Sequence, residues 1–159
     1  FRSLRGEPGC AAGGPGLAFE VRGGAARCAG AEASRGTLPV GGWLETPGAA
    51  TAELEVARLG HLTVFGGSRL RLVGSGAREQ RLELARGRIA ARVTAPPRLF
   101  VVDTPVASAV DLGCAYELTV DDAGRTHLRV TSGAVSLERA GRAADQASRP
   151  QGKLCSSGC

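Results

Sequence analysis

Short runs in which apolar and polar residues alternate fill the chain from Trp43 to about residue 138. Three clear examples lie at 54–56, 62–64 and 82–84, where leucine or valine occupies every second position. Since successive side chains of a β-strand point to opposite faces, such alternation places the apolar residues on one face. The sequence therefore predicts an all-β protein. Further runs of this kind lie at 70–72, 89–93, 100–102, 116–120, 128–130 and 135–137.

Turn-forming residues separate these runs. Glycine recurs at 66–67, 74–76, 86–87 and 132–133, and the stretch 121–124 reads Asp-Asp-Ala-Gly. Glycine and aspartate are favoured in tight turns because they tolerate or stabilise conformations that other residues avoid. The stretch 121–124 predicts a hairpin turn, and Gly133 is free to adopt a positive φ.

The spacing of the runs leaves two architectures open. Leu54, Leu62 and Leu70 begin successive runs eight residues apart. Short strands at such intervals are typical of a β-sandwich, and also of a β-solenoid in which each turn of chain adds a rung. Pro96 and Pro97 predict a bend between two halves of the sheet, because proline lacks the amide donor.

The length of 159 residues fits one domain with two irregular ends. We expect an irregular glycine-rich segment at 1–36, a β domain at 37–139 and an irregular segment of small polar residues at 140–159. Within the first segment, 17–22 is an isolated strand-like run, placed where it would serve as a strand donated to another copy. The chain begins at Phe1, which leads us to expect a leader or anchor before it in the precursor.

The net charge of +5 and the pI near 9.4 are compatible with nucleic-acid binding, but the charge pattern opposes it. Arginines alternate with acidic residues along the strands, and aromatic residues, on which bases would stack, make up 4% of the chain. Lysine and isoleucine occur once each, and asparagine and methionine are absent. This bias is typical of a high-GC bacterial genome. We predict no nucleic-acid partner, and no run is long enough to be a membrane segment.

Five cysteines indicate the compartment. Cys10, Cys28, Cys155 and Cys159 lie in the two ends, and we predict that they form disulfides, with three pairings possible. Disulfides form in oxidising compartments, so the chain is predicted to be periplasmic or extracellular. Cys114 lies within an apolar strand and is predicted to be a buried free thiol. Zinc is the alternative for the four end cysteines, but 17 residues separate Cys10 from Cys28, so we predict no metal.

No arrangement of residues predicts catalysis. His61, Ser108 and Asp111 supply the residue types of a catalytic triad, but no nucleophile elbow or oxyanion motif accompanies them. His61 and His127 are predicted to point outward from strands, and Asp103 to bind local backbone amides at a bend. The glycine-rich turns at 66–68 and 74–76 precede no helix, which makes them poor phosphate sites. We therefore predict no enzymatic activity and no cofactor.

Several motifs, in their order, resemble the FecR family over about residues 40–139. They read VGGWLET (40–46), LELARGRIAARV (82–93), FVVDTP (100–105), LGCAY (112–116) and VTSGAV (130–135). The resemblance implies an extracytoplasmic β domain, solenoid-like or sandwich-like, that relays a surface signal to a sigma factor in regulatory members. It also implies that the motif positions matter: Trp43, Thr46, Thr104, Pro105, Gly113, Tyr116 and Gly133. We do not expect the family's cytoplasmic sigma-binding helices or its membrane helix within residues 1–159.

Two functions follow as expectations. The first is a FecR-type protein-interaction and signal-transduction module that binds a protein partner by strand addition at an exposed sheet edge. The alternative is a secreted structural subunit that self-assembles into an extracellular filament, by strand addition or end stacking, with its terminal cysteines locking copies together. In both, the partner is a protein, and function lies at sheet edges and chain ends.

Overall fold

The structure is a computed structural model, and it describes residues 10, 15–56, 59–76, 78–94, 98–113, 115–139 and 144–145. Within these residues the regular elements are strands, and no helix occurs. The prediction of an all-β protein is therefore confirmed. The strands are β1 (Leu17–Arg22), β2 (Ala26–Cys28), β3 (Ala31–Ala33), β4 (Arg35–Leu38), β5 (Trp43–Glu45), β6 (Thr51–Val56), β7 (Gly60–Val64), β8 (Arg69–Ser75), β9 (Gln80–Val93), β10 (Phe100–Asp103), β11 (Ala107–Asp111), β12 (Ala115–Val120), β13 (Thr126–Ser132), β14 (Val135–Arg139) and β15 (Ala144–Asp145).

The strands form two sheet halves that share β9. The first half has the order β4-β1-β6-β7-β9-β12-β13, and the second β3-β2-β5-β8-β9-β10-β11-β14-β15. Residues 80–86 of β9 pair with β8, and residues 87–92 pair with β12. Every pairing among the described strands is antiparallel except that of β9 with β10. The sheet is thus nearly closed into a barrel-like structure.

One hydrophobic core lies between the halves. Leu54 and Leu62 enter it from the first half, and Leu70 and Leu82 from the second, all with no exposed surface. Complete burial of one such side chain stabilises the fold by about 1.5–3 kcal/mol. The core explains the eight-residue spacing: Leu54 and Leu62 are direct partners in the β6–β7 pair, whereas Leu70 lies across the core. The spacing therefore reflects a chain that passes from one sheet half to the other, and not a stack of identical rungs.

The expectation of an irregular segment at 1–36 is wrong for its described part. Residues 17–38 form β1 to β4, and β1 pairs within its own chain with β4 and β6. The reason is burial, because Leu17 and Phe19 of β1 lie in the core. The glycines here serve tight turns rather than disorder: Gly23 has a φ of +78°. Pro96, Pro97 and most of 140–159 lie outside the described residues.

A disulfide joins Cys10 to Cys28, with 6.1 Å between their Cα atoms. Cys28 is buried in β2 of the second half. The carbonyl of Cys10 accepts a hydrogen bond of 3.2 Å from the backbone N–H of Thr37 in β4, at the edge of the first half. The disulfide therefore ties the edge of one half to the other. Cys114, Cys155 and Cys159 lie outside the described residues.

Candidate interaction surface

Trp43 and Thr46 lie where the chain leaves the second half for the first. Thr46 is buried, and its Oγ1 donates to the carbonyl of Phe65 at 2.7 Å and accepts from the N–H of Ser68 at 3.1 Å. These bonds join the turn after β5 to the turn between β7 and β8. Trp43 is half-buried on the outer face of the second half, and the guanidinium of Arg69 lies 3.7 Å from its ring centroid.

The other family-motif positions also define turns and core. In the β10–β11 hairpin, Thr104 Oγ1 accepts from the N–H groups of Val106 and Ala107, with Pro105 at the turn between them. Gly113 and Gly133 have φ values of +99° and +91°, which confirms the expectation for Gly133. Tyr116 is buried in the core. In this structure these residues therefore fix turns and part of the core.

The three residues that supply the residue types of a triad, His61, Ser108 and Asp111, belong to different sheet halves. His61 is exposed on the outer face of the first half, whereas Ser108 and Asp111 belong to β11 of the second. Ser108 Oγ instead donates to Asp103 Oδ1 at 2.6 Å. Both histidines point outward, as expected, with His127 exposed on β13.

The expectation for Asp103 is wrong. Its carboxylate binds no local amide; both oxygens accept from Arg81, at 2.6 and 2.8 Å. The side chain of Asp103 points across the outer face of the sheet toward the parallel strand β9, and Thr104 takes the capping role. The guanidinium of Arg81 donates hydrogen bonds to Glu79 as well as to Asp103. These bonds raise its pKa, and the bonds to Glu79 contribute most.

The outer face of the second half is a ladder of paired charges. Arg69 binds Glu45 at 2.7 Å, and Arg71 binds Glu83 at 2.7 Å. Beyond Arg81 and Asp103, the ladder continues to Arg98 and Glu138, again at 2.7 Å. A surface whose charges neutralise each other across neighbouring strands is a solvated face that leaves few groups for a partner.

The outer face of the first half is different. Two shallow grooves meet at His61: one runs over β4, β1 and β6, and the other over β9 and β12. Glu20 on β1 lies opposite Glu53 on β6 and pairs with Arg35 at 3.8 Å, whereas Arg92 on β9 lies opposite His61. Arg92 has no ion pair with any described residue. This face therefore keeps uncompensated charge.

The strand β13 is the long exposed edge of this half. It spans seven residues and pairs, among the described strands, with β12 alone. Its inward residues Leu128 and Val130 are only partly buried against the core. By contrast, β3 has three residues, and β4 is covered at Thr37 by the carbonyl of Cys10. An edge strand with free backbone groups and partly exposed apolar residues is a template for another strand.

The turn that leads into β13 is well fixed, as predicted for 121–124. Asp121 accepts from the backbone N–H groups of Ala123 and Arg125, both at 2.9 Å, and Gly124 has a φ of +87°. The bond from the N–H of Arg125 is the main cause that lowers the pKa of the Asp121 carboxyl. The hairpin thus presents β13 in a defined register. Sequence patterning identified this strand and its turn, but nothing in it shows which strand lies at an edge.

Two other features are absent from the described part of the chain. No group of three or more histidine, cysteine, aspartate or glutamate side chains is placed to hold a metal ion there. Nor is any helix in that part long and apolar enough to span a membrane.

One comparison with known proteins gives a match. No curated protein and no solved structure matches the chain significantly. The family model described as FecR protein matches residues 44–136, more than half of the chain, from Leu44 in β5 to Ser136 in β14. The matched range includes β9, the β10–β11 hairpin and the edge strand β13. The chain therefore belongs to the FecR family.

Proposed function

We propose that the chain is a non-catalytic, extracytoplasmic interaction module that binds a protein partner through the edge of β13 and takes part in signal transduction. The observation that carries the proposal is this seven-residue edge, which is unpaired on one side within the described residues. Strand addition at such an edge supplies affinity through main-chain hydrogen bonds and specificity through alternate side chains. Family membership supports a protein partner.

The proposed location outside the cytoplasm has separate support. The disulfide between Cys10 and Cys28 requires an oxidising compartment to persist. Its position at the junction of the two sheet halves is that of a structural cross-link, because Cys28 is buried. We therefore propose a periplasmic or extracellular protein.

The filament alternative has less support. Its donated strand would be 17–22, but this run is β1, an interior strand between β4 and β6 of its own chain. Two of the four end cysteines are joined within the chain and do not link copies. Self-assembly through β13 itself is an outcome that the following experiment separates.

The experiment is site-specific photo-crosslinking in the bacterium that makes the protein. A photoreactive residue replaces Thr131, which is exposed on β13, and a matched control replaces Val40, which is exposed on the loop between β4 and β5. We expect position 131, and not position 40, to form a crosslink to a different protein. A crosslink from 131 to a second copy would favour the filament alternative. Equal labelling at both positions, or none at 131, would refute the proposal.

A further inference from the structure

We infer that the strand received by β13 is acidic, with carboxylates at the position beside Arg129 and apolar residues at alternate positions. This inference rests on the proposed strand addition and names the chemistry of its partner. The acidic and apolar character of the partner strand follows from the charges and the burial along β13.

Arg129 is exposed and unpaired within the described structure. The residue directly opposite it on β12 is Glu117. Glu117 Oε1, however, accepts a hydrogen bond of 3.2 Å from Arg88, which approaches from β9 on the other side. Since the carboxylate that would neutralise Arg129 is engaged elsewhere, the cation is available to an incoming strand.

The rest of the edge supplies no competing acid. Residues 126–132 contain no aspartate or glutamate. Of the two carboxylates in the turn before them, Asp121 binds Arg125 at 2.9 Å, and Asp122 is exposed in the turn, outside the strand. A carboxylate across from Arg129 would therefore be attracted, whereas an arginine or lysine there would be repelled. This difference selects among partner strands, because repulsion of wrong partners adds to attraction of the right one.

The inward side of the edge sets the second requirement. Leu128 and Val130 are partly buried at the open end of the core and flank Arg129 in sequence. A strand paired with β13 brings its alternate side chains next to them, because both strands share the pleat of the sheet. Apolar residues at those positions would complete the cover of the core.

The test uses synthetic peptides and the full chain. The first peptide alternates valine with threonine and carries one central glutamate. A second peptide carries arginine in place of the glutamate and tests the charge preference. A third has proline in place of a valine and tests strand pairing. Binding is measured by NMR titration of β13 amide shifts. We expect the glutamate peptide to bind about tenfold more tightly than the arginine peptide, with the difference reduced at high salt. R129E should reverse this order.

The matched control is R92E, because Arg92 is exposed on the same face and has no ion pair among the described residues, but lies two strands from the edge. It should leave the preference unchanged. Equal binding of the glutamate and arginine peptides, with loss only for the proline peptide, would overturn the inference and leave strand addition standing. If no peptide shifted the β13 amides, both would fail. Reversal by R92E as strongly as by R129E would also overturn the inference.

Discussion

Replacement of Thr46 by valine tests how the two sheet halves are joined. Valine keeps the shape of threonine but neither donates nor accepts a hydrogen bond. T46V would leave the carbonyl of Phe65 and the N–H of Ser68 without their partner, and Ser68 is 1% exposed, so water does not replace the lost bond easily. A buried polar group left unsatisfied costs about 1–3 kcal/mol.

For these two groups together we expect T46V to lower the free energy of unfolding by about 2–4 kcal/mol. This is a large fraction of the roughly 5–15 kcal/mol that stabilises a typical domain. The matched control is T63V, because Thr63 Oγ1 donates to Glu53 Oε1 at 3.1 Å on the outer face, where solvent substitutes for the carboxylate. Its cost should stay within about 0.5 kcal/mol.

The assay is urea denaturation followed by tryptophan fluorescence. Trp43 is the only tryptophan and lies three residues before Thr46, so the signal reports directly on this junction. The midpoint should fall with little change of the m-value, since the surface exposed on unfolding is the same. If T46V and T63V had equal midpoints, the role assigned to the Thr46 hydroxyl would be wrong.

Three further predictions concern the cross-link and two turns. The double variant Cys10→Ala/Cys28→Ala should have a free energy of unfolding about 3 kcal/mol lower than the wild type, because the disulfide closes a loop with a sequence separation of 18. Reductant should lower the melting temperature of the wild type and leave that of the double variant unchanged. G87A should lower the free energy of unfolding by more than about 3 kcal/mol, since Gly87 has a φ of +107° and an added Cβ would overlap the backbone of Ser68. G67A, with a φ of +79° and open space around the added Cβ, should lower it by only about 1 kcal/mol, both measured by thermal denaturation. Folding lowers the pKa of the Asp121 carboxyl from its ordinary 3.8. The carboxylate therefore stabilises the fold above pH 3.8, and this contribution is lost as the pH falls through the lowered pKa. The difference in melting temperature between wild type and D121N should close at acid pH, and a difference independent of pH would contradict this.

Alternation of apolar and polar residues predicted the strands well because each strand buries one face on a single core. It also predicted the hairpin at 121–124, where the turn chemistry is local to four residues. The glycine-rich N-terminal stretch was misjudged for a physical reason. Beyond the strand-like run 17–22, its strands β2, β3 and β4 are only three or four residues long, which is too short to show a period.

The candidate site was less predictable from sequence. Whether β13 is an edge or an interior strand depends on long-range pairing, and the local pattern of Leu128 and Val130 is the same in both cases. The freedom of Arg129 likewise depends on Arg88, which is far away in sequence and engages Glu117 across β9 and β12. Asp103 was assigned to its own bend because its true partner, Arg81, lies 22 residues earlier.

The shared strand β9 has a consequence for how the molecule unfolds. It pairs with β7 and β8, which precede it, and with β10 and β12, which follow it, so neither sheet half is complete without it. Partial opening of one half would strip hydrogen bonds from a strand that the other half also needs. We expect the amides at the centre of β9 to exchange only by global unfolding, as one cooperative unit. During synthesis, likewise, neither half can close until the chain has been made as far as Val93, the last residue of β9.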